Sequence, residues 1–405
     1  MRIRSITYFF DPVQAPLESV LPAIHAHKEA LKKDLVSNGY EVQSVRLATT
    51  PFPQWLDFKD ERIAFRKIND LCSYAQKSGF DYLSLGPCSA NICSAESLIP
   101  AILTISNIIF VSMQLADPQG RLSLPDIRSC AAVITKVAKL EADGFANLRF
   151  AALANVKPFT PFFPAAYGAS GELAFSLAME CADTALHTFE QAADINSGCQ
   201  ALCSTFEEHA NQMETVINKT NSQSPIVFKG FDFSLAPFPE DWCSFGKALE
   251  SMGVGAIGSA GSLAAAAILA GALDSGRWKK AGFNGLMMPI LEDAILAARS
   301  GAGLLSIYDV LQYSSVCGTG LDTVPLPGDI ETEKIEALLL DIAALGLRLN
   351  KPLTARLMPI PGKKAGDAVE FDFSYFAKGK VLDYSYSGLG HPLTSSKAID
   401  IKPRC

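Results

Sequence analysis

The chain opens M-R-I-R-S-I-T-Y-F-F-D-P (1–12), and this stretch, read with the residues after it, decides the fold class. Ile3–Phe10 is rich in β-branched and aromatic residues and ends at Asp11-Pro12, as a strand ends at a breaker. Val20, Leu21, Ile24, Leu31 and Leu35 then recur at helical spacing until Asn38-Gly39 stops them. Val42–Ala48 is strand-like again. Strand, helix and strand in so short a span predict an α/β protein with a largely buried sheet.

The alternation continues. A helix is expected over Asp60–Ser78 and a strand over Tyr82–Leu85. Further strands are expected at Ile108–Leu115, Arg149–Asn155, Ile226–Phe233, Leu286–Ile290, Ala355–Ile360 and Val381–Tyr386. Helices are expected over 94–106, 125–142, 171–192, 199–219, 243–252, 260–274, 292–314 and 331–347. The most polar segment, Asn218–Ser224, reads as a loop rather than a linker, and no repeat is detectable. A single α/β domain over 1–405 is the simplest organisation.

Of the 405 residues, 49% are hydrophobic and only 19% charged, below the roughly one quarter that is usual. Much surface must therefore be buried, in a thick domain or in contacts between copies, so a homo-oligomer is one expectation. The net charge of -7 argues against a nucleic-acid partner, which would need a basic stripe. Val254–Leu273 carries no charge, but its Ala, Gly and Ser content suits a closely packed helix better than a membrane span. The N-terminus lacks a long apolar run with a small-residue cleavage site, so a cytoplasmic protein with no membrane partner is expected. The ten cysteines include no C-x-x-C pair, the nearest being Cys88 with Cys93 and Cys199 with Cys203. Buried thiols in a reducing compartment are the expectation.

Four loop segments fall where strands end or helices begin. They are A-N-V-K-P-F-T-P-F-F-P-A-A-Y-G (154–168), F-D-F-S-L-A-P-F-P (231–239), S-V-C-G-T-G-L-D-T-V-P-L-P-G-D (315–329) and P-G-K-K-A-G-D (361–367). Together with I-R-S-I-T near the start and P-I-L-E-D (289–293), they resemble an uncharacterised bacterial and archaeal family, domain of unknown function 711, also called uncharacterised protein family 0210. The resemblance runs in order through most of the chain and is strongest over 226–371. It implies a fold similar to the pyruvate formate-lyase-like glycyl radical enzymes, an α/β barrel of about ten strands. It supplies no reaction and no catalytic residues. Members are often encoded beside a small ACT-domain protein, which implies a regulatory partner or a role in amino-acid metabolism. The C-terminal segment Y-S-G-L-G-H-P (386–392) lacks the Arg-Val-x-Gly-aromatic surroundings of a glycyl radical loop, so radical chemistry is not expected.

Cys317 has two readings. It is either a small buried thiol fitting a Gly318–Gly320 turn at a helix C-terminus, or a nucleophile approached by His391. The dipole at a helix C-terminus would raise a thiol pKa, which favours the first. Asp322 stands in an otherwise apolar strand-like run, where a carboxylate is costly without compensation. Asp232 ends another apolar strand, and Glu292-Asp293 follow L-M-M-P-I-L, where first-turn helix charge is the plain alternative. Asp329 reads as an N-cap. Carboxylates gathered at strand ends either share a proton or hold a hard cation, so the expected catalytic set is Asp322, Asp232, Glu292, Asp293 and Cys317, with a divalent cation as the one cofactor considered.

For substrate binding, Thr160 in the proline-rich wall, Ser259 and Ser262 in G-A-I-G-S-A-G-S (255–262), the backbone at Gly318 and Gly320, and Lys363 and Lys364 are the candidates. A glycine-rich helix start and a lysine turn both suit an anion, although close packing and a solvated turn explain them equally well. The expectation is an enzyme acting on a small anionic metabolite by carboxylate acid–base or cation-assisted chemistry. The alternative is a non-catalytic metabolite-binding protein working with an ACT-domain-like partner.

Overall fold

The computed structural model describes residues 1–14, 17–90, 94–117, 119–222, 224–316, 318–384, 387–391 and 393–404. The first part of the chain alternates β1 (Arg2–Phe10), α1 (Leu17–Ser37), β2 (Val45–Thr49), α2 (Glu61–Lys77), β3 (Tyr82–Cys88), α3 (Ala95–Leu103), β4 (Ile109–Gln114), α4 (Leu124–Val137) and β5 (Phe150–Ala154). These five strands pair in sequence order, all parallel. Parallel neighbours need a crossover between them, which the helices supply.

The second part begins with β6 (Ala174–Glu180), antiparallel to β1, followed by α5 (Ala182–Gln191), α6 (Ile195–Thr220) and β7 (Val227–Asp232), parallel to β6. Next come α7 (Phe245–Ser251), α8 (Ser262–Ser275), α9 (Ala294–Gly301) and α10 (Ile307–Tyr313). The chain ends its regular part with β8 (Gly320–Pro327), α11 (Thr332–Arg348) and β9 (Leu353–Ile360). β9 pairs parallel with β8 and antiparallel with β5. Among the described residues this makes a ten-stranded mixed sheet, mostly parallel, in the order β8-β9-β5-β4-β3-β2-β1-β6-β7, the tenth strand being the short Glu41–Val42 beside β1. An extended segment, 280–290, runs beside both end strands through single parallel bridges: Phe231–Lys280, Leu235–Leu286 and Pro289–Asp322.

Alternate residues of the strands enter different cores. Ile6, Tyr8 and Phe10 of β1, Leu47 of β2 and Ile109 and Val111 of β4 pack with the helices. Phe9, Ala48 and Phe110 face the other way, onto Phe163 and Ala166. A sheet covered on both faces reads as continuous apolar runs, as these strands do. The second cover is not a helix but the irregular segment 156–168. Buried irregular backbone must find hydrogen bonds, and three strands provide them. Thr7 Oγ1 donates to Pro161 O (3.3 Å), Ser84 Oγ to Ala166 O (2.7 Å) and Ser176 Oγ to Phe159 O (2.9 Å).

Four sequence expectations are corrected. The helix expected over 171–192 is a strand, β6, followed by α5 from Ala182. Every residue of β6 is buried, so it shows neither a period of two nor one of 3.6. The helix expected over 292–314 is two, because Ser306 and Asp309 form a reciprocal capping box that starts α10 afresh. Leu286–Ile290 is extended but joined to its neighbours by single bridges rather than a ladder. Of Val381–Tyr386, residues 385 and 386 lie outside the described residues, and 381–384 form no regular strand. Val254–Leu273 becomes a tight turn and α8, and among the described residues no helix is long and apolar enough to cross a membrane.

Gly320 is a tight joint at the start of β8. Its φ is 92°, and a Cβ there would meet Thr354 O at 2.3 Å. Gly320→Ala is expected to cost about 1–3 kcal/mol from backbone strain, with more from the displaced β9 carbonyl. A denaturant titration showing an unshifted midpoint would refute this account of the β8 start.

Candidate functional site

Two β-bulges shape the interior of the sheet. In the β1–β6 pairing, Ile3 faces Met179 and Ser5 faces Ala178, leaving Arg4 as the extra residue. In the β8–β9 pairing, Leu321 faces Ala355 and Val324 faces Leu357, so Asp322 and Thr323 together oppose Arg356. A bulge re-aims side chains locally, and Thr323 takes the positive φ of 42° that this demands.

The bulges bring an ion-pair chain together. Arg356 Nε donates to Asp322 Oδ1 (2.6 Å), and Arg356 Nη2 donates to Glu292 Oε1 (2.6 Å). The other oxygen of Glu292, Oε2, accepts from Arg4 Nη2, and Arg4 Nη1 reaches Pro237 O (3.2 Å). Arg356, Glu292 and Asp322 are all buried. Burial alone would raise Glu292, but Arg356 and Arg4 together hold it below its ordinary value. Asp322 is raised, because its burial and the nearby Glu292 outweigh the attraction of Arg356.

A cavity of about 140 Å³ opens against this chain, with Arg4, Glu292 and Arg356 in its wall. Its other polar anchor is Arg46, half-buried on β2. Arg46 Nε donates to Ser44 Oγ (2.9 Å), and the guanidinium lies over the rings of Tyr82 (5.4 Å) and Phe163 (5.2 Å). Among the described residues no carboxylate comes within 4.0 Å of it, unlike Arg4 and Arg356. Burial, with Arg4 beside it, lowers Arg46 to about 10, so it stays charged at neutral pH. Aromatic rings make up most of the remaining wall. A second cavity of about 20 Å³ shares Arg4, Arg46 and Phe162 with the first and reaches Asp232 and Ser234.

Of the residues singled out in the sequence, Glu292 lines the main cavity and Asp322 is linked to it through Arg356. Asp232 lines the small one, where its carboxylate accepts from Ser234 N (3.0 Å) and Oγ (2.5 Å), Phe283 N (3.0 Å) and Asn284 N (2.9 Å). Asp293 faces away. It caps α9 through Ile295 N and Leu296 N, and ties the start of α7 by accepting from Ser244 Oγ, Phe245 N and Gly246 N. Two helix N-termini converge on this one carboxylate, a structural use of the dipole. Asp329 is exposed, and the position before α11 is held by Glu331.

Thr160 Oγ1 donates to Lys157 O (2.9 Å) within its own loop. Gly318 N donates to Leu286 O (3.1 Å) and packs on Gly285, so the 318–320 backbone serves the junction with segment 280–290. Ser262 is buried at the start of α8 and donates to Ala256 O (3.4 Å), while Ser259 is exposed, and neither lines the cavity. In the same turn a Cβ on Gly258 would meet Leu304 O at 1.9 Å, so close packing accounts for the glycine there. Lys363 and Lys364 are exposed on a turn closed by Lys364 N donating to Asp367 Oδ2 (2.7 Å); Lys363 lines a separate cleft of about 430 Å³, and neither lysine lines the 140 Å³ cavity. Cys317, with Cys93 and Cys405, lies outside the described residues. Among the described residues no three His, Cys, Asp or Glu side chains gather as a metal site.

The sequence reading missed Arg4, Arg46 and Arg356. Arg46 and Arg356 are each the lone arginine of an apolar strand, the same anomaly that drew notice to Asp322, and Arg4 follows Arg2 at the start of another. Removing Arg356 would leave two buried carboxylates short of a partner. Arg356→Met is therefore expected to destabilise the fold by about 3–5 kcal/mol. The double variant Arg356→Met with Asp322→Leu should recover part of that loss. Chemical denaturation of the two variants beside the parent checks both, and a harmless single variant would contradict the assignment.

Comparison with known proteins places the chain among relatives. The model of the family described as Uncharacterised ACR (DUF711) matches residues 1–378. The chain is 28% identical over 351 residues to a UPF0210 protein of Acetivibrio thermocellus, covering 82% of this chain and 77% of that one. It is 27% identical over 388 residues to one of Pyrobaculum aerophilum (92% and 84%), and 26% identical over 396 residues to one of Lacticaseibacillus casei (91% and 85%). With the family's pattern running through nearly the whole chain, strands and site together, the protein belongs to the DUF711 family.

Proposed function

We propose that the protein takes up a small anionic metabolite in the 140 Å³ cavity, anchored on Arg46, and acts on it by carboxylate acid–base chemistry at Glu292 and Asp322. Arg46 is the observation that carries the reading. A guanidinium set among aromatic rings, with no carboxylate within 4.0 Å among the described residues, has donors open to an anion. Glu292 and Asp322 share one guanidinium yet are shifted in opposite directions, and carboxylates pushed apart in this way suit the roles of base and acid. The cation-assisted form of the chemistry is the weaker one, since the oxygens a metal would use already face arginine.

Within the same reading the sheet closes into a barrel. Support comes from segment 280–290, which bridges to β7 on one side and to β8 on the other. A likeness to the pyruvate formate-lyase-like fold is proposed with it, as one domain working in the cytoplasm, without radical catalysis. The segment that fills the sheet interior, 156–168, contains no cysteine to serve as a radical finger.

A second reading is a non-catalytic binding protein with a regulatory, ACT-domain-like partner. Arginine engages both oxygens of Glu292 and one of Asp322, a use as structural ion pairs that favours it.

Thermal-shift screening against aliphatic and aromatic carboxylates and phosphorylated metabolites tests the anion site. At least one anion should stabilise the parent, and Arg46→Ala should abolish that shift while the variant remains folded by circular dichroism. An equal shift in Arg46→Ala would remove the anchor from the reading. For the stabilising anion, Asp322→Asn should retain binding and lose turnover. Binding without turnover in the parent would decide for the second reading.

A further inference from the structure

We infer that the ligand of this cavity is a monocarboxylate with a flat, apolar body, an inference that rests on the anion-binding reading above. Charge accounting is the first argument. Arg4 and Arg356 are matched by Glu292 and Asp322, leaving Arg46 as the cation of the cavity wall that no carboxylate touches among the described residues. Asp81 is the other acid at the cavity, exposed at its edge, with Oδ2 accepting from Val45 N (2.7 Å). One negative charge satisfies Arg46. A phosphate dianion would bring an excess charge into a wall whose other arginines are already neutralised.

The geometry of Arg46 is the second argument. Its Nε is spent on Ser44 Oγ, and its Cζ lies over the rings of Tyr82 and Phe163. What remains is the planar edge carrying the two Nη groups. Two donors in one plane match the two oxygens of a carboxylate, and a phosphate can take the same fork, so the choice between the two rests on charge.

The wall is the third. Tyr82 meets Phe110 edge-to-face at 5.1 Å, and Phe110 meets Phe163 edge-to-face at 5.3 Å. Phe162 and Phe373 line the same space. Phe110 and Phe163 are buried and Tyr82, Phe162 and Phe373 half-buried, so the wall is a largely aromatic surface against which a flat guest can pack. A cavity of about 140 Å³ admits a body of about one ring.

Isothermal titration of the full chain with benzoate, cyclohexanecarboxylate, phenyl phosphate and acetate tests the class. Benzoate should bind at least about tenfold tighter than each of the others. Arg46→Lys, which keeps the charge but loses the planar fork, should weaken benzoate about tenfold, and Phe162→Leu should weaken benzoate more than acetate. Phenyl phosphate or cyclohexanecarboxylate binding as tightly as benzoate overturns the inference and leaves the anion reading standing. If no carboxylate or phosphate binds the folded parent at all, the anion reading falls with it.

Discussion

Arg356 ties together parts of the sheet that the strand ladder leaves apart. It bonds Asp322 on neighbouring β8 and Glu292 at the end of segment 280–290, and Glu292 in turn bonds Arg4 of β1. In the sheet order, β5, β4, β3 and β2 lie between β9 and β1. Backbone pairing therefore cannot bring Arg356 and Arg4 to the same carboxylate; the curvature of the sheet must do so, and Glu292 fixes the result. Taking such charges out of water costs several kcal/mol each, and only close, well-directed pairing offsets it. The chain is thus a constraint on sheet shape before it is a candidate for chemistry.

The same pairs explain two irregularities in the strands. A regular strand would place Arg4 and its neighbours on fixed alternating faces, and likewise Asp322. An extra residue at each position breaks the alternation and lets Arg4 and Asp322 join the interior set. Thr323 bears the cost as a non-glycine residue at positive φ, which is uncommon for a β-branched side chain. Its hydroxyl offsets part of this by accepting from Leu291 N (3.3 Å), which also steadies the residue preceding Glu292.

The irregular segment 156–168 completes the arrangement from the other side. Its carbonyls are fixed by hydroxyls from β1, β3 and β6, so it sits against the sheet at three separate points. Phe162 and Phe163 are delivered in this way to the cavity wall, the Phe163 ring 5.2 Å from the Arg46 guanidinium and the Phe162 ring 5.6 Å from that of Arg356. The strand hydroxyls thus connect a local sequence feature, small polar residues on apolar strands, to the position of the aromatic wall.

How much of this was legible depended on the range of the interactions involved. The strand–helix alternation from Arg2 to Ala154 could be read from periodicity, because each element buries a local pattern against a helix. β6 could not, since a strand buried on both faces loses its period, and the run over 171–192 reads as one helix. Asp322 and Glu292 stood out as acids among apolar residues, and they do meet. Asp293 stood out on the same ground but spends its charge on two helix starts, a partnership with Phe245 and Gly246 that no local spacing announces. The arginines escaped notice for a related reason. A carboxylate in a strand raises the question of its compensating charge, and a cation from outside the chain is the first answer a sequence suggests. The compensating charge was already written into other strands, as Arg4 and Arg356, and only the fold shows that Arg46, a third buried-strand arginine, has no carboxylate within 4.0 Å among the described residues.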